Sequence, residues 1–207
     1  MSGFLTRVPL RWVDLDAQGH VNNAVVADYL QEARVEFLLS GDNAHMLGTS
    51  TIVVSHQVEF LRPILFSVEP VEIELAVGEV GAASVRLGYD VRHEGEQVAR
   101  ARTQLAKVRT GRPERMTAAE RAWFAARAVE LEPLRDLGRW EVGDRAHTYP
   151  LRVRWSDLDP YRHVNNVRLF DFVAEARIRM DLTGDVAERM AKAAGDGLLW
   201  LVARQDV

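Results

Sequence analysis

The feature that most constrains this chain is a motif that occurs twice, Arg-Trp-x-Asp-Leu-Asp-x-x-x-His-Val-Asn-Asn, at residues 11–23 and 154–166. Residues 11–34 align on residues 154–177 without a gap, at a constant offset of 143, and 13 of the 24 aligned positions are identical. Identity at that density indicates an internal duplication. The fold must therefore be a unit that can occur twice in one chain.

Composition limits the classes of protein to which the chain can belong. With 207 residues and 47% hydrophobic content, it can form one large or two small globular units. The net charge of -4 lacks the basic excess that a nucleic-acid binder needs. Because cysteine is absent, disulfides, thiolate nucleophiles and zinc–thiolate sites are excluded.

The sequence shows no signal for export or membrane insertion. Residues 1–7 contain no apolar run of the length that a signal peptide needs, and no stretch of about 18 apolar residues occurs. The lack of cysteine fits a reducing compartment. We therefore expect a soluble cytoplasmic protein that binds neither membranes nor nucleic acid.

Each copy of the motif lies between a predicted strand and a predicted helix. Residues 6–13 and 149–156 alternate apolar with other side chains, which is typical of a strand. After the motif, apolar residues recur at helical spacing until Ser40-Gly41 in the first copy and Thr183-Gly184 in the second. This spacing predicts a helix of roughly four turns after each motif.

The remainder of the first copy is rich in strand-forming residues. A Thr117-Ala-Ala-Glu120 capping box after it predicts a further helix that runs to about Glu130. The predicted fold class is α+β, with a long apolar helix wrapped by a curved antiparallel sheet. Turn signals separate four segments that predict the strands of this sheet, at 51–61, 68–78, 84–92 and 97–109.

We expect three parts in the chain: a first unit at residues 1–112, a helical linker at 113–148 and a second unit at 149–207. Residues 199–203 resemble residues 52–55, with the offset between the copies grown to 149. Residue 207 then corresponds to residue 58. On this alignment the second unit contains only the amino-terminal part of the repeat.

The motif brings acidic and imidazole groups to the start of a helix. Asp14 and Asp16 stand at the end of the predicted strand, and His20 lies four residues beyond Asp16. The unpaired N–H groups and the positive dipole end of a helix can polarise a carbonyl and stabilise an oxyanion. A carboxylate there can act as a general base for water, or as a nucleophile through an anhydride.

Each residue of the motif also has a structural interpretation. We expect Asp14 to bond backbone amides in a turn, and we expect Asp16 to serve the site because the whole motif is repeated. For His20, a site residue and a loop staple are equally good alternatives. Asn22 and Asn23 fit helix initiation somewhat better than hydrogen bonds to a substrate.

Two interpretations concern other charged groups. A metal site is disfavoured, because hard ions prefer more oxygen ligands than the motif supplies and no further ligand cluster is visible. Glu32 with Arg34, and Glu175 with Arg177, are interpreted as surface or inter-helix ion pairs.

The motif resembles that of a known family when its surroundings are included. The stretch Asp14 to Asn23, followed by Tyr-Leu-Gln-Glu-Ala-Arg at 29–34 and Val-Glu-Phe-Leu-Arg-Pro at 58–63, resembles hotdog-fold thioesterases of the 4-hydroxybenzoyl-CoA thioesterase type. The resemblance covers residues 4–109 and again 149–207. The chain is also similar to acyl-carrier-protein thioesterases, which are tandem hotdogs with a similar motif.

The resemblance implies hydrolysis of acyl-CoA or acyl-carrier-protein (acyl-ACP) thioesters by water, without a cofactor or a metal. It implies that the catalytic aspartate is the second of the pair, Asp16 in the first copy and Asp159 in the second. The acyl-ACP branch would add a histidine, at His20 or His163, and a strand glutamate at Glu59.

The chain departs from the acyl-ACP branch two residues after each aspartate. That branch has an asparagine there, whereas this sequence has Gln18 and Tyr161, and Arg162 also replaces the Gly19 of the first copy. A carboxamide at Gln18 can substitute for asparagine, so the first copy is the better candidate. The expected substrate-binding residues are Gln18, Asn22, Asn23, Asn165 and Asn166.

The resemblance also implies an arrangement and a context. Hotdog sites lie between two units, so the copies are expected to pair with each other in one chain, with further homo-oligomerisation left open. The expected context is fatty acid metabolism. The alternatives are a non-catalytic hotdog module that binds acyl groups or assembles with other subunits, and, less favoured, a hotdog enoyl-CoA hydratase.

Overall fold

The computed structural model describes residues 3–47, 51–138, 141, 143–144, 146–181 and 202–207. The chain divides into two compact units, Met1–Leu134 with Ala203–Val207, and Arg135–Val202. In the described parts of the chain, no helix is long and apolar enough to cross a membrane.

The first unit consists of one antiparallel sheet and two helices, so the predicted α+β class is confirmed. The elements are β1 (Phe4–Val8), α1 (Asn23–Leu39), β2 (Thr51–Phe60), β3 (Val71–Val80), β4 (Ser84–His93), β5 (Glu96–Arg109), β6 (Arg112–Pro113), α2 (Ala118–Ala125) and β7 (Arg204–Asp206). The strands follow the order β1-β3-β4-β5-β2-β7, and the short β6 pairs with the end of β5 in antiparallel fashion.

The core lies between α1 and one face of the sheet. Along β3 and β4 every second side chain is buried, because successive residues of a strand point to opposite faces. Leu30 and Ala33 of α1 have no exposed surface, and Phe37 is buried as well. The helix ends at Leu39, and Ser40 donates its backbone N–H to Glu36. The Ser40-Gly41 stop and all four predicted sheet strands are confirmed to within a few residues.

The terminal strand β7 pairs with β2 in a reciprocal register. Val58 lies opposite Gln205, while His56 and Val207 exchange two backbone hydrogen bonds of 2.7 Å. On the predicted repeat alignment, Val207 corresponds to Val58 and Gln205 to His56, which makes the two pairs equivalent. The tandem arrangement of the copies stays a prediction.

The first unit extends beyond its predicted end at residue 112. After α2, Val129 donates its backbone N–H to the Val77 carbonyl at 2.8 Å. Leu131 then covers Gly78 and Gly88, where an added Cβ would lie 2.5 and 2.8 Å from the leucine side chain. The two glycines thus form a notch for Leu131, and the boundary set by packing lies at Leu134.

A buried ion pair attaches α2 to the sheet. Lys107 of β5 donates to both carboxylate oxygens of Glu120, at 3.0 and 2.9 Å, and both side chains are more than nine-tenths buried. His45 approaches the same carboxylate at 2.8 Å, and the Glu120 side chain also closes the capping box with Thr117. The predicted capping box is confirmed, although the helix ends at Ala125.

Two predicted strands differ from the structure. The first, predicted at 6–13, ends at Val8, since Pro9 has no N–H for the ladder and residues 12–14 form a 3-10 turn. The second, predicted at 149–156, is wrong: residues 149–154 form no strand and a 3-10 turn begins at Trp155. The Thr183-Gly184 stop and residues 199–201 lie outside the described residues.

The second unit contains the second motif and one long helix. Its helix α3 covers Arg168–Asp181 and includes the predicted positions up to its last described residue. Residues 146–154, which precede the motif, are without regular secondary structure.

The Lys107–Glu120 pair makes stability sensitive to one substitution. Glu120→Gln leaves the buried Lys107 ammonium with only the more distant Glu114 carboxylate, at 3.8 Å, so the free energy of unfolding should fall by about 3 kcal/mol. Glu72→Gln, which removes an exposed ion pair with Arg7, should change it by less than about 1 kcal/mol. Urea unfolding of both variants measures this, and equal losses would contradict the role of the pair.

The same pair should steepen acid unfolding. Burial alone would raise the pKa of Glu120, but hydrogen bonds from Lys107 and His45 outweigh it and lower the pKa to about 2. Because this pKa lies below the ordinary value of 4.5, the stability that the carboxylate contributes is complete above that pH and is lost as pH falls towards 2. Wild-type protein should lose stability faster than Glu120→Gln in this interval, as measured by urea unfolding at a series of pH values.

Candidate active site

The motif of the first copy forms a closed turn from Asp16 to His20. The backbone N–H of Asp16 donates to the His20 carbonyl at 2.8 Å, and that of Gly19 donates to the Asp16 carbonyl at 3.0 Å. Gly19 has a φ of +79°. This left-handed conformation is readily adopted by glycine, which has no Cβ. The turn therefore holds Asp16 and His20 opposite each other.

The Asp16 carboxylate is held on one side. Its Oδ1 accepts the backbone N–H of Gln18 at 2.8 Å and, at 3.4 Å, that of His20. No residue that the structure describes donates to Oδ2, and Asp16 is only half-buried. One oxygen thus orients the carboxylate, while the other faces no protein donor.

Asp14 has a different environment and is 1% exposed. Its carboxylate accepts the Arg11 backbone N–H at 2.9 Å, the Arg11 guanidinium at 2.7 Å and the Tyr29 hydroxyl at 2.6 Å. Burial alone would raise the pKa of Asp14, but these hydrogen bonds outweigh it and lower the pKa. Arg11, Asp14 and Tyr29 are called the Asp14 clamp below. The turn role expected for Asp14 agrees with these contacts.

His20 is anchored through its backbone. It forms a bridge with Leu65, and the next residue, Val21, donates its N–H to the Ile64 carbonyl at 2.8 Å. The loop after β2 thus lies along the turn. His20 is half-buried, and among the described residues its ring forms no hydrogen bond or ion pair. Both alternatives for His20, a site residue and a loop staple, stay predictions.

The two asparagines begin α1. Asn22 is the N-cap, and its side-chain oxygen accepts the Ala24 N–H at 3.0 Å. The backbone N–H of Asn22 donates to the Asp14 carbonyl at 2.8 Å. Asn23 is the first helical residue, and within the described chain its N–H meets no acceptor. The expected role of Asn22 in helix initiation is consistent with this geometry. The backbone N–H of Asn23, beside it, is left without an acceptor among the described residues.

Glu59 lies in a separate environment. It is buried on β2, and Arg100 of β5 donates to its Oε2 at 2.6 Å. His56, three residues earlier on β2, contacts Thr103 on the core-facing side of the sheet, at 3.2 Å. Strand alternation then places Glu59 and Arg100 on the opposite face. No described contact joins Glu59 to Asp16 or His20, so its catalytic role stays a prediction.

Large apolar side chains border the turn on its solvent side. Trp12 is 74% exposed, and its ring meets that of Phe66 edge to face with centroids 5.4 Å apart. Val13, which follows Trp12, and Leu65, which bridges to His20, are also exposed. Apolar surface at this place can contact an apolar ligand, since grouped exposed apolar residues often mark binding sites.

The second copy builds the same turn. Asp159 N–H donates to the His163 carbonyl at 2.8 Å, and Oδ1 of Asp159 accepts from the N–H groups of Tyr161 and His163 at 2.9 and 3.1 Å. Arg162 replaces Gly19 and takes the same conformation, with a φ of +66°. A non-glycine residue is disfavoured there. The backbone pattern of the motif is thus retained in spite of the substitutions.

The surroundings of the second turn differ. His163 is exposed, and Phe172 stands where the first copy has Tyr29. The side-chain oxygen of Asn165 accepts the Val167 N–H at 3.4 Å and the Asn166 amide at 3.2 Å, before α3 begins at Arg168. Asn165 therefore contributes to the turn before the helix, and substrate contacts by Asn165 and Asn166 stay predictions.

The burial of one charged residue of α1, Arg34, was not predicted from the sequence. Arg34, interpreted as an ion-pairing surface residue, is 6% exposed, and no ion pair of its guanidinium occurs in the described part of the chain. Burial and the nearby Arg34 charge lower the pKa of His56 to about 3. Arg34 follows Leu30 by four residues and precedes Phe37 by three, which places it on the apolar side of the helix. This spacing was the signal in the sequence from which its burial could have been predicted.

No group of three acidic or histidine side chains that could hold a metal ion is present among the described residues. The motif supplies two carboxylates, Asp14 and Asp16, but the oxygens of Asp14 already accept hydrogen bonds from Arg11 and Tyr29. A carboxylate with one oriented oxygen, a nearby imidazole and a helix amino terminus can instead activate water beside a carbonyl.

Residues 10–128 match the thioesterase-like superfamily, and the chain belongs to this family. Residues 142–183 match the acyl-ACP thioesterase C-terminal domain. Among curated proteins, YsmA of Bacillus subtilis, which is uncharacterized, is 29% identical over 90 residues, which cover 42% of this chain and 58% of that protein. The match therefore spans less than two thirds of the length of this relative.

Solved thioesterase structures are similar to the chain. A thioesterase from Thermus thermophilus, in complex with coenzyme A and zinc, is 33% identical, with 61% of this chain and 96% of that chain covered and a TM-score of 0.55. The 12:0-ACP thioesterase of Umbellularia californica is 22% identical, with coverages of 85% and 76% and a TM-score of 0.69. The second likeness concerns the fold alone. The expected hotdog fold and thioesterase class are confirmed at the level of the family.

Gly19 offers a test of the turn. Gly19→Ala should lower the free energy of unfolding by about 1 kcal/mol, because a Cβ disfavours the left-handed conformation. No atom lies within 4 Å of the added Cβ, so the cost is conformational. Gly95→Ala, in the β4–β5 hairpin at a φ of +80° and with equally open space, is the matched control. Urea unfolding should give similar losses, and an unchanged Gly19→Ala protein would contradict the geometry.

Proposed function

We propose that the chain is a thioester hydrolase that acts on acyl-CoA or acyl-ACP, with Asp16 as the catalytic carboxylate. The observation that carries this proposal is the one-sided bonding of Asp16. Two backbone N–H groups hold Oδ1, and no described donor occupies Oδ2. A carboxylate whose lone pairs are directed at solvent, rather than used within the fold, can accept a proton from water.

The amino end of α1 supplies the electrophilic part of the site. The N–H of Asn23 has no acceptor among the described residues, whereas those of Asn22 and Ala24 are used by Asp14 and Asn22. A thioester carbonyl that accepts from Asn23 would be polarised by this N–H and by the helix dipole. The stabilisation grows as the oxygen becomes an oxyanion, so it favours the transition state.

The proposed reaction conserves atoms and charge. A water molecule gives a proton to Oδ2 of Asp16 while its oxygen forms a bond to the carbonyl carbon. The carbonyl oxygen becomes an oxyanion in this step. As the carbonyl re-forms, the C–S bond breaks, and the departing thiolate takes up the proton that Oδ2 received, directly or through His20. In the alternative route Asp16 itself bonds to the carbonyl carbon and the thiolate leaves. Water then cleaves the resulting anhydride, and the proton released in that step protonates the thiolate. Neither route requires a cofactor.

The neighbouring residues have supporting roles in this proposal. His20 lies opposite Asp16 in the turn and can orient the water or protonate the leaving thiolate. Gln18, Asn22 and Asn23 can donate hydrogen bonds to the substrate. The exposed Trp12 and Phe66 give apolar contact for the acyl group or for the arm that carries it.

The second copy is proposed as a weaker site of the same kind. Asp159 and His163 keep the turn, but Tyr161, Arg162 and Phe172 replace their counterparts. Glu59 is retained as a candidate from the acyl-ACP branch, with the Arg100 ion pair as its structural alternative.

The proposed architecture is a tandem hotdog protein that functions in fatty acid metabolism. The duplicated motif supports it, and so does the match of residues 142–183 to the C-terminal domain of acyl-ACP thioesterases. Pairing of the two copies, further homo-oligomerisation and a cytoplasmic location stay predictions.

Asp16→Asn tests the proposal directly. The amide cannot take a proton from water, so thiol release from a panel of acyl-CoA and acyl-ACP thioesters should fall by about 100-fold or more, while unfolding changes little. Asp159→Asn is the matched control in the second copy and should retain most of the activity. Release is followed with a thiol reagent. Unchanged rates in Asp16→Asn would remove Asp16 from the mechanism.

One alternative function has a specific observation in its favour. The substitutions in the second turn, together with the exposed apolar surface beside the first, fit an acyl-binding module without turnover. Saturable binding of acyl-CoA to wild-type protein with no thiol release would favour it. Loss of the crotonyl-CoA absorbance without thiol release would instead favour the enoyl-CoA hydratase.

A further inference from the structure

The Asp14 clamp connects the helix to both ends of the Asp16–His20 turn. Tyr29, in the second turn of α1, donates its hydroxyl to Asp14 at 2.6 Å, and both side chains are almost completely buried. Asp14 precedes Asp16 by two residues, and its carbonyl accepts the N–H of Asn22, beyond the other end of the turn, at 2.8 Å. The clamp therefore determines where the turn stands on the helix.

The second copy shows what the clamp adds. Its turn has the same backbone bonds, including the one from Asn165 to the Asp157 carbonyl at 2.8 Å. Phe172 replaces the tyrosine, however, and in the described contacts Arg154 bonds to Asp157 through its backbone N–H alone, at 2.7 Å. Because the turn forms without the clamp, the clamp is not needed to make it.

The chemistry at Asp16 does need a fixed position. Proton transfer from water requires the carboxylate and the carbonyl-polarising N–H to keep their separation, and misplacement by about 1 Å can cost on the order of 100-fold in rate. The hydrogen bond from Tyr29 supplies a rigid reference, since it joins two buried groups on different elements. Arg11 alone cannot do this, because its side chain is 64% exposed and belongs to the same short turn as Asp14.

We propose that Tyr29 is a positioning residue that acts through Asp14 to hold Asp16 against the amino end of α1, and that the absence of this hydroxyl makes the second copy the weaker of the two sites. The proposal rests on the proposed function, in which Asp16 is catalytic. It assigns to Tyr29 a role that differs from the packing of its ring, which phenylalanine would perform equally well. At this position the two copies differ in the hydroxyl and not in the ring, because Phe172 replaces Tyr29.

Tyr29→Phe removes only that hydroxyl. For an acyl-CoA that the wild type hydrolyses, kcat should fall by roughly 10- to 100-fold, while KM stays within about twofold because the substrate-contacting groups remain. Tyr89→Phe is the matched control, since the Tyr89 hydroxyl is also buried and bonds to nothing in the described part of the chain. Its kcat should stay at the wild-type value. Equal losses in both variants, or a wild-type kcat in Tyr29→Phe, would overturn the proposal.

Amide hydrogen exchange provides a readout that needs no activity. In Tyr29→Phe the Asn22 N–H, which the Asp14 carbonyl accepts, should exchange faster than in wild type, whereas Tyr89→Phe should leave its rate unchanged. If wild-type protein released no thiol from any substrate but this exchange pattern were found, the proposed function would fail and the clamp would stand. An unchanged Asn22 rate in Tyr29→Phe would overturn the clamp whatever the activity.

Discussion

The need to satisfy one buried carboxylate organises the candidate site. Asp14 has almost no contact with solvent, and an unpaired charge there would be costly. Its acceptors are filled by Arg11 beside it and by Tyr29 on the following helix. These bonds fix the connection between Asp14 and α1 against the helix, and Asp16 and His20 lie on the turn within that connection. The first aspartate is thus used within the fold, and the second is the one available for the proposed chemistry.

Much of the fold follows from local patterns in the sequence. The apolar spacing after Asn23 and the Ser40-Gly41 stop predicted α1, and the capping box at Thr117 predicted the start of α2. Strand-forming residues between turn signals predicted four strands of the sheet, and these strands pair in antiparallel fashion. Alternation of apolar and other residues failed at residues 149–156, because a strand also needs a neighbour to bond, and no local pattern supplies one.

The site was predictable in part, for a similar reason. The duplicated motif pointed to Asp16, His20 and the asparagines as candidates, whose roles stay predictions, and it assigned Asp14 to a turn. It did not reveal that Tyr29 bonds to Asp14, because the partners are 15 residues apart and their contact depends on how the turn meets the helix. Nor did it reveal the burial of Arg34, since charge alone suggested a surface position. Contacts that depend on tertiary packing cannot be predicted from the spacing of residues in the sequence alone.

The reciprocal pairing of β7 with β2 bears on solubility. A strand edge with unused N–H and C=O groups is a template for further strands and hence for aggregation. The hydrogen bonds between Val207 and His56 and between Ala203 and Phe60 occupy the part of that edge nearest Glu59. Because β7 forms hydrogen bonds with this part of β2, it can prevent the same edge from pairing with a strand of another molecule. This effect is independent of any role in joining two copies of a fold.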